Sequence, residues 1–136
     1  ASRPVRAAGR TTPRMRQVDR AVQLIDTDYA RALTLDDLAS AAGLSAFHFA
    51  RVFRALVGLP PHRYLTAVRL RQALHRLEQG DAVTHTCYAV GFGSLSHFVN
   101  AFRLRFGVSP SQVTRGAIIA PLRASLSTPV WRRTGT

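Results

Sequence analysis

Apolar residues recur at steps of three and four along most of this chain, which is the spacing of one buried face of an α-helix. Val18, Val22 and Ile25 show it first, in a stretch that predicts a helix from Pro13 to about Ala32. A longer helix is predicted from about Pro61 to Glu78, since proline suits the first helical position. Patterns typical of strands are scarce. We therefore predict an all-α fold of about seven helices.

A segment of 17 residues occurs twice in the chain. Ser45–Pro61 and Ser94–Pro110 lie 49 residues apart and are identical at seven of 17 positions. Each copy follows a short helical pattern and a turn that contains glycine, Gly43 in the first copy and Gly91 in the second. The chain therefore contains a duplicated module, which is the first feature to look for in a sequence.

Each copy predicts two short helices joined by a tight turn, which is the pattern of a helix-turn-helix. Thr34 and Asp37 resemble a capping box in front of the first short helix. Ser45 and Ser94 suit the N-caps of the second helix in each copy. The motifs span residues 34–58 and 82–107, and residues 109–115 predict a last short helix. The predicted buried faces are Leu35, Leu38, Ala39, Ala42, Phe49, Val52, Phe53 and Leu56 in the first motif, Ala67, Leu70, Ala73, Leu74 and Leu77 in the linking helix, and Val83, Thr86, Cys87, Val90, Phe98, Ala101 and Phe102 in the second motif.

The two ends of the chain lack this periodicity. Residues 1–12 are predicted to be a flexible basic arm or linker, whose Arg3, Arg6 and Arg10 could touch DNA phosphates or a minor groove. Residues 117–136 are predicted to be a largely disordered tail, because Pro121 and Pro129 prevent a long helix. The predicted folded domain is therefore 13–116.

The charge of the chain narrows the class of partner. It carries 19 basic against 7 acidic residues, a net charge of +12, and no lysine. A GC-rich genome would explain the missing lysine but not the excess of base over acid. Nucleic acid is the simplest polyanionic partner. A membrane surface is disfavoured, because the chain has no run of 18 apolar residues and no long basic helix with a bulky apolar face.

Enzyme chemistry finds little support in the sequence. The single cysteine, Cys87, cannot form an internal disulfide and is predicted on the buried side of a helix. The five histidines show no pair at metal-ligand spacing on a helix, and no glycine loop that would hold a phosphate is present. We therefore expect no enzyme, no metal and no cofactor. DNA-repair methyl-transfer proteins can carry a similar domain, but they need an accessible nucleophilic cysteine.

With both motifs placed, residues 15–115 resemble the DNA-binding domain of the AraC/XylS family of bacterial transcription regulators. The second copy matches its signature at Gly91-Phe92, Ser94, Ser96, His97-Phe98, Phe102, Phe106-Gly107 and Ser109-Pro110. The first copy matches it at Gly43, Ser45, Phe49, Arg51, Phe53, Gly58, Pro61 and Tyr64. The resemblance implies two helix-turn-helix motifs joined by a long helix, binding near promoters in the bacterial cytoplasm, and activation through contact with RNA polymerase. Many members also have a sensing and dimerising domain, which would have to lie outside these 136 residues. The linker-like residues 1–12 fit a fragment of such a protein and equally fit a small stand-alone regulator that binds as a monomer.

The chain departs from the family pattern at several positions. Asn100 stands where an arginine is usual in the second recognition helix, Thr86 replaces a common isoleucine, and Pro60 replaces a serine. Val113 and Thr114 replace a usual Tyr-Arg pair. Thr86 and Val113 suggest looser packing there, and Asn100 suggests that the first motif contributes more to specificity.

A recognition helix presents its N-terminal, outward-facing residues to the major groove of DNA. The base-reading candidates by this rule are Ala46, Phe47, Ala50, Arg51, Leu95, Ser96, His97 and Asn100. The candidates for phosphate contacts are Ser45, Arg54, Arg63, Ser94, Arg103 and Arg105.

Individual roles follow from side-chain chemistry, each with a plainer alternative. Arg51 could bond a guanine bidentately or only grip a phosphate, and Phe47 could touch a thymine methyl or pack on a neighbouring helix. Asn100 suits adenine. His48 and His97 could face their own module as structural residues, which is the interpretation we favour for His48.

The predicted linking helix of about 18 residues is roughly 27 Å long, against ~34 Å for one DNA turn. The sequence thus favours a regulator that places two recognition helices in successive major grooves of double-stranded DNA. Three alternatives stay open: a repressor of the same fold, a basic module that docks RNA polymerase, and an RNA binder. An RNA binder would need exposed aromatic residues on a sheet or an RNA-reading motif, and neither is present.

Overall fold

The computed structural model describes residues 11–116, and within them every regular element is an α-helix. The predicted basic arm and tail fall almost wholly outside this range. The seven helices are α1 (Pro13–Asp28), α2 (Leu35–Ala42), α3 (Ala46–Val57), α4 (Pro61–Glu78), α5 (Val83–Ala89), α6 (Leu95–Phe106) and α7 (Pro110–Thr114). The all-α prediction is thereby confirmed for the described part of the chain.

The described residues form two compact units. The first contains residues 11–28 and 33–65, and the second contains Tyr29–Ala32 and residues 66–116. The helix α4 begins in the first unit and continues into the second. Each unit holds one predicted helix-turn-helix, α2 with α3 and α5 with α6.

In the first unit, α1, α2 and α3 pack against one another. Phe53 packs its ring on Phe49 at 5.4 Å between centroids and on Tyr64 at 5.8 Å, and all three side chains are fully buried. The Arg20 guanidinium of α1 donates to the Ala41 and Ala42 carbonyls at 3.1 and 3.3 Å. These carbonyls lie at the C-terminus of α2, where helical partners run out and a cation is favourable.

The turn of the first motif forms as the sequence predicts. The Thr34 hydroxyl accepts from the Asp37 N–H at 3.1 Å, and Asp37 accepts from the Thr34 N–H at 2.9 Å. This reciprocal pair fixes the start of α2. Gly43 ends the helix with φ at +76°, a conformation in which glycine has no Cβ penalty.

In the second unit, a row of aromatic side chains forms the core. Phe92, Phe98, Phe102 and Phe106 contact one another in sequence as tilted or edge-on pairs, with centroids 5.1, 5.8 and 4.6 Å apart. The α4 residues Leu70, Ala73, Leu74 and Leu77 and the α7 residue Val113 pack in the same cluster. The last helix α7 is fixed by a capping box, in which the Ser109 N–H donates to Gln112 at 2.7 Å.

Several predicted details are wrong. The first helix ends at Asp28 rather than about Ala32, because the next residues leave the helix and their carbonyls bond Arg69. Leu35 and Leu56 are 43 and 37% exposed, since the buried stripe turns away from them. The buried face of α4 also includes residues that were not predicted, namely Tyr64, Leu65 and Val68, whereas Ala67 is half-buried.

Arg69 of α4 anchors the segment Tyr29–Ala32. Its Nε donates to the Tyr29 carbonyl and its terminal nitrogen to the Arg31 carbonyl, both at 2.8 Å. Partial burial of the guanidinium lowers the pKa of Arg69 from its ordinary value. Gly91 lies against the same anchor, because a Cβ there would approach Arg69 Nε and the Tyr29 oxygen to 2.8 Å. The turn of the second motif therefore needs glycine at this position for space as well as for its φ of +106°.

Thr86 and Val113 are both buried, at 0 and 4% exposure, so their burial gives no sign of the looser packing predicted there. The Thr86 hydroxyl instead has no hydrogen-bond partner within the described residues. An unpaired buried hydroxyl keeps its desolvation cost, about 1–3 kcal/mol. Threonine therefore lowers the stability at a position where the family that the sequence resembles commonly has isoleucine.

Replacing this hydroxyl by a methyl group should stabilise the protein. We expect Thr86→Val to raise the free energy of unfolding by about 1 kcal/mol, because it removes the unpaired group and keeps the branched shape. Urea denaturation measures this, and Thr84→Val, at an exposed position on the same helix, should change stability by less than about 0.5 kcal/mol. A loss of stability in Thr86→Val would contradict the prediction.

Candidate nucleic-acid interface

Both α3 and α6 begin at a serine cap with the same geometry. The Ser45 hydroxyl accepts from the His48 N–H at 3.3 Å, and the Ser94 hydroxyl accepts from the His97 N–H at 3.0 Å. No acidic residue lies in the first turn of either helix. The partial positive charge of both N-termini is therefore available to an anion.

The two faces of α3 differ sharply. Phe49, Phe53 and Val57 point into the first unit and are buried. On the other face Arg51 and Arg54 are exposed and Phe47 is 73% exposed. The remaining candidates of this helix are Ala46 and Ala50, which are half-buried. The base-reading candidates of the first motif thus share its outer face, with the two alanines at its margin.

Phe47 and Arg51 contact each other on this outer face. The Arg51 Cζ lies 5.8 Å from the centre of the Phe47 ring, within the range of a cation–π interaction. Packing of Phe47 on a neighbouring helix, the plainer alternative, does not agree with its exposure.

The helix α6 is built in the same way. Phe98, Phe102 and Phe106 are buried. The candidates on the outer face are exposed: Leu95 at 38%, with Ser94, Ser96, His97, Asn100 and Arg103. The Ser94 and Ser96 hydroxyl oxygens lie 3.3 Å apart. The second motif therefore presents small polar groups where the first presents an aromatic ring and a guanidinium.

His48 and His97 occupy equivalent positions in the two motifs, and a structural role was favoured for His48 alone. His48 is exposed, so the structural role favoured for it is wrong. Its solvent exposure follows from its place beside the cap, one residue before the buried Phe49. His97 meets the Phe92 ring edge-on at 5.3 Å while its side chain stays exposed, so it combines a packing contact with access to a ligand.

Arginines dominate the charge of these helices. Arg54, Arg63 and Arg103 are exposed, and Arg105 is half-buried with its Cζ 5.4 Å from the Phe106 ring centre. All seven acidic residues of the chain lie in 19–37 and 78–81, so α3 and α6 carry none. The predicted phosphate-contact candidates are therefore accessible or partly accessible, and those of α3 and α6 have no acidic residue on their own helix.

The described residues give less support for a nucleophilic cysteine, a metal site or a membrane-spanning helix. Cys87 is fully buried, burial raises the pKa of its thiol, and the thiol lies 3.6 Å from the Ser94 carbonyl oxygen, to which it donates. This environment does not suit a nucleophile. No group of three metal-ligating side chains occurs among residues 11–116. No helix in that range is long and apolar enough to cross a membrane.

Sequence reasoning missed four features near the two motifs. Leu104 of α6 is 90% exposed and Tyr88 of α5 is 54% exposed, although both follow helical patterns with apolar neighbours. The sequence around Arg69 does not indicate its anchoring role, because its hydrogen-bond acceptors are backbone carbonyls about 40 residues away in the chain. The pairing of Phe47 with Arg51 could have been found from their spacing of four residues.

Comparison with known proteins agrees with this geometry. A family model described as a helix-turn-helix domain matches residues 38–116. The chain is 34% identical over 93 residues to the HTH-type transcriptional activator RhaS of Escherichia fergusonii. The match covers 68% of this chain and 34% of RhaS, so the chain spans about a third of the length of such relatives.

Solved structures to which this chain is similar include a transcriptional regulator with an AraC-type DNA-binding domain from Chromobacterium violaceum. It has a TM-score of 0.68 and 28% identity, and the match covers 74% of this chain and 90% of that one. The DNA-binding domain of AdpA, solved in complex with a target DNA, has a TM-score of 0.69 and 28% identity, with 73 and 90% coverage.

Proposed function

Since this chain belongs to the AraC/XylS family of helix-turn-helix proteins, we propose that it is the DNA-binding part of a bacterial transcription regulator. It binds double-stranded DNA sequence-specifically, with α3 and α6 as recognition helices. The observation that carries the proposal is the matched construction of these helices. Each has a serine-capped N-terminus, a buried aromatic face, and an outer face with arginines and without acidic residues.

In the proposed complex α3 and α6 enter successive major grooves, so that one chain reads two half-sites. Base readers are Ala46, Phe47, Ala50, Arg51, Leu95, Ser96, His97 and Asn100. Phosphate contacts come from Ser45, Arg54, Arg63, Ser94, Arg103 and Arg105. Phosphate contacts position a protein on DNA, while base contacts specify the site.

The regulator acts as an activator in the bacterial cytoplasm and contacts RNA polymerase when bound near a promoter. The name of the relative RhaS, a transcriptional activator, supports activation rather than repression. A dimer would form through a further domain, outside this chain. A repressor of the same fold remains the second candidate, and a promoter-reporter assay with the selected site distinguishes the two by the sign of the change.

Specific binding is tested by competition. At ~150 mM salt, the full chain should bind its selected duplex at least ~10³-fold more tightly than a scrambled duplex of equal composition. An RNA duplex of the same sequence is the control for an RNA binder. Equal affinity for all three nucleic acids would contradict the proposal and favour a basic module that binds acidic proteins.

The phosphate contacts should appear in the salt dependence of binding. We expect Arg103→Ala to weaken binding equally on matched and mismatched duplexes and to reduce the slope of log K against log salt by about 1. The control Arg14→Ala removes the same charge from α1, outside the candidate interface, and should leave the slope unchanged. Equal slopes for Arg103→Ala and the wild type would show that Arg103 does not contact a DNA phosphate.

A further inference from the structure

The fold does not use the side chain of Phe47, which is exposed to solvent. The helix α3 is already anchored by Phe49 and Phe53, which are fully buried and in ring contact with each other. Phe47 comes two residues before Phe49 and points outward, 73% exposed. An exposed apolar ring beside polar groups is a common sign of a binding surface.

Arg51 completes this surface in a defined way. Its Cζ lies 5.8 Å from the Phe47 ring centre, one helical turn further along the same face. A guanidinium that lies over a ring face is attracted by the ring without donating a hydrogen bond to an acceptor atom, so its N–H donors remain for a ligand. The contact therefore restricts the arginine and keeps its donor edge available.

We propose that Phe47 and Arg51 act as one composite reader of a guanine that has a 5-methylpyrimidine as its neighbour. The inference rests on the proposed function, because it assumes that α3 enters the major groove. Arginine bonds O6 and N7 of guanine bidentately, and an apolar side chain contacts the C5-methyl group of thymine. The adjacent ring and guanidinium match two such groups on adjacent base pairs, and Phe47 is in addition a positioning residue for Arg51.

The chemistry of this reader extends beyond thymine. In the major groove 5-methylcytosine carries its methyl group at the same ring carbon as thymine, while cytosine carries none. A site that recognises the methyl group accepts thymine or 5-methylcytosine and disfavours unmodified cytosine. Cytosine methylation within the first half-site would therefore raise the affinity of this protein for DNA.

The second motif provides an internal contrast. The positions 49 residues further on are Ser96 and Asn100, which are both exposed and carry no aromatic ring. Their side chains can hydrogen-bond bases but offer no apolar surface to a methyl group. The methyl effect that depends on Phe47 should therefore be confined to the half-site read by α3, because Leu95, the exposed apolar candidate of α6, has no arginine one turn further along the helix.

The test uses the selected duplex in four versions that differ at one pyrimidine beside a guanine in the first half-site. The pyrimidine is dT, dU, dC or 5-methyl-dC. The change from dT to dU removes only the methyl group, and the change from dC to 5-methyl-dC adds only the methyl group. Dissociation constants are measured by fluorescence anisotropy for the wild type, Phe47→Ala, Arg51→Ala and Leu104→Ala. Leu104→Ala is the control, because it shortens another exposed apolar side chain, which is not among the base-reading or phosphate-contact candidates.

Each methyl group should strengthen binding of the wild type and of Leu104→Ala about fourfold, the value of one buried methyl group. In Phe47→Ala both methyl effects should vanish, while the preference for guanine weakens as in Arg51→Ala. A methyl effect of equal size in Phe47→Ala would overturn the proposal. So would equal binding of all four duplexes by the wild type, or a selected half-site without a pyrimidine next to guanine.

Failure of this inference is distinguishable from failure of the proposed function. A protein that prefers its selected duplex over a scrambled one, but ignores the methyl group, remains a sequence-specific DNA binder with another use for Phe47. A protein without any preference for a duplex sequence fails both tests. A methylated position in the second half-site serves as a further control, because its effect on the affinity should be the same in the wild type and in Phe47→Ala.

Discussion

Gly91→Ala is expected to destabilise the protein by about 2–5 kcal/mol. A residue with a Cβ costs about 1–2 kcal/mol in a left-handed conformation such as the φ of +106° at this position. Overpacking adds about 1–3 kcal/mol, because the new Cβ would meet the Tyr29 oxygen and Arg69 Nε at 2.8 Å and the Ala30 Cα at 3.1 Å. Such a loss is a large part of the ~5–15 kcal/mol that stabilises a typical domain.

Gly80→Ala is the matched control for this substitution. Gly80 has a similar φ of +97° and belongs to the same unit, and a Cβ added there would meet no atom within 4 Å. It should lose only the conformational part, about 1–2 kcal/mol. Urea denaturation of both variants separates strain from collision, and equal losses would show that the close approach to Arg69 does not constrain Gly91.

Arg51→Ala is expected to reduce discrimination at one guanine by about 5- to 150-fold, equivalent to about 1–3 kcal/mol. The reason is that a bidentate contact distinguishes guanine from the other bases, whereas a phosphate grip does not. The measurement is the ratio of dissociation constants for the selected duplex and for a duplex with that guanine replaced. If Arg51 only grips a phosphate, the affinity falls on both duplexes and the ratio stays unchanged.

Asn100→Ala and Arg103→Ala are the comparisons for this result. Arg103→Ala should weaken binding without changing the ratio, since it removes the same side chain from a predicted phosphate contact. Asn100→Ala should change the ratio less than Arg51→Ala, because the first motif is expected to contribute more to specificity. A larger loss of discrimination at Asn100 would reject that hypothesis.

The local signals of the sequence account for much of the fold. Ser45, Ser94 and Thr34 form the predicted caps, and α4 has the predicted bounds, because each of these features depends on neighbouring residues only. The duplication also indicated which face of α3 and α6 is buried. A repeated pattern of phenylalanines leaves one consistent core face in both copies.

Contacts between distant parts of the chain account for the errors. The helix α1 ends at Asp28 because the following carbonyls bond Arg69, which no pattern around residue 28 indicates. Whether the buried Thr86 hydroxyl has a hydrogen-bond partner depends on the residues packed around it. The sequence gives no sign that it has none, because buried polar groups usually have a partner. The exposure of His48 was not predicted, because a structural role was favoured without identifying a side chain that His48 would contact.

The measurement that tests the central claim most directly is selection of binding sites from random duplex DNA at ~150 mM salt, followed by footprinting of the enriched sequence. We expect two conserved half-sites about one helical turn apart, both protected by the wild-type chain. A single protected half-site would mean that one motif only holds the phosphate backbone. Recovery of no enriched sequence would contradict sequence-specific recognition and leave only binding driven by charge.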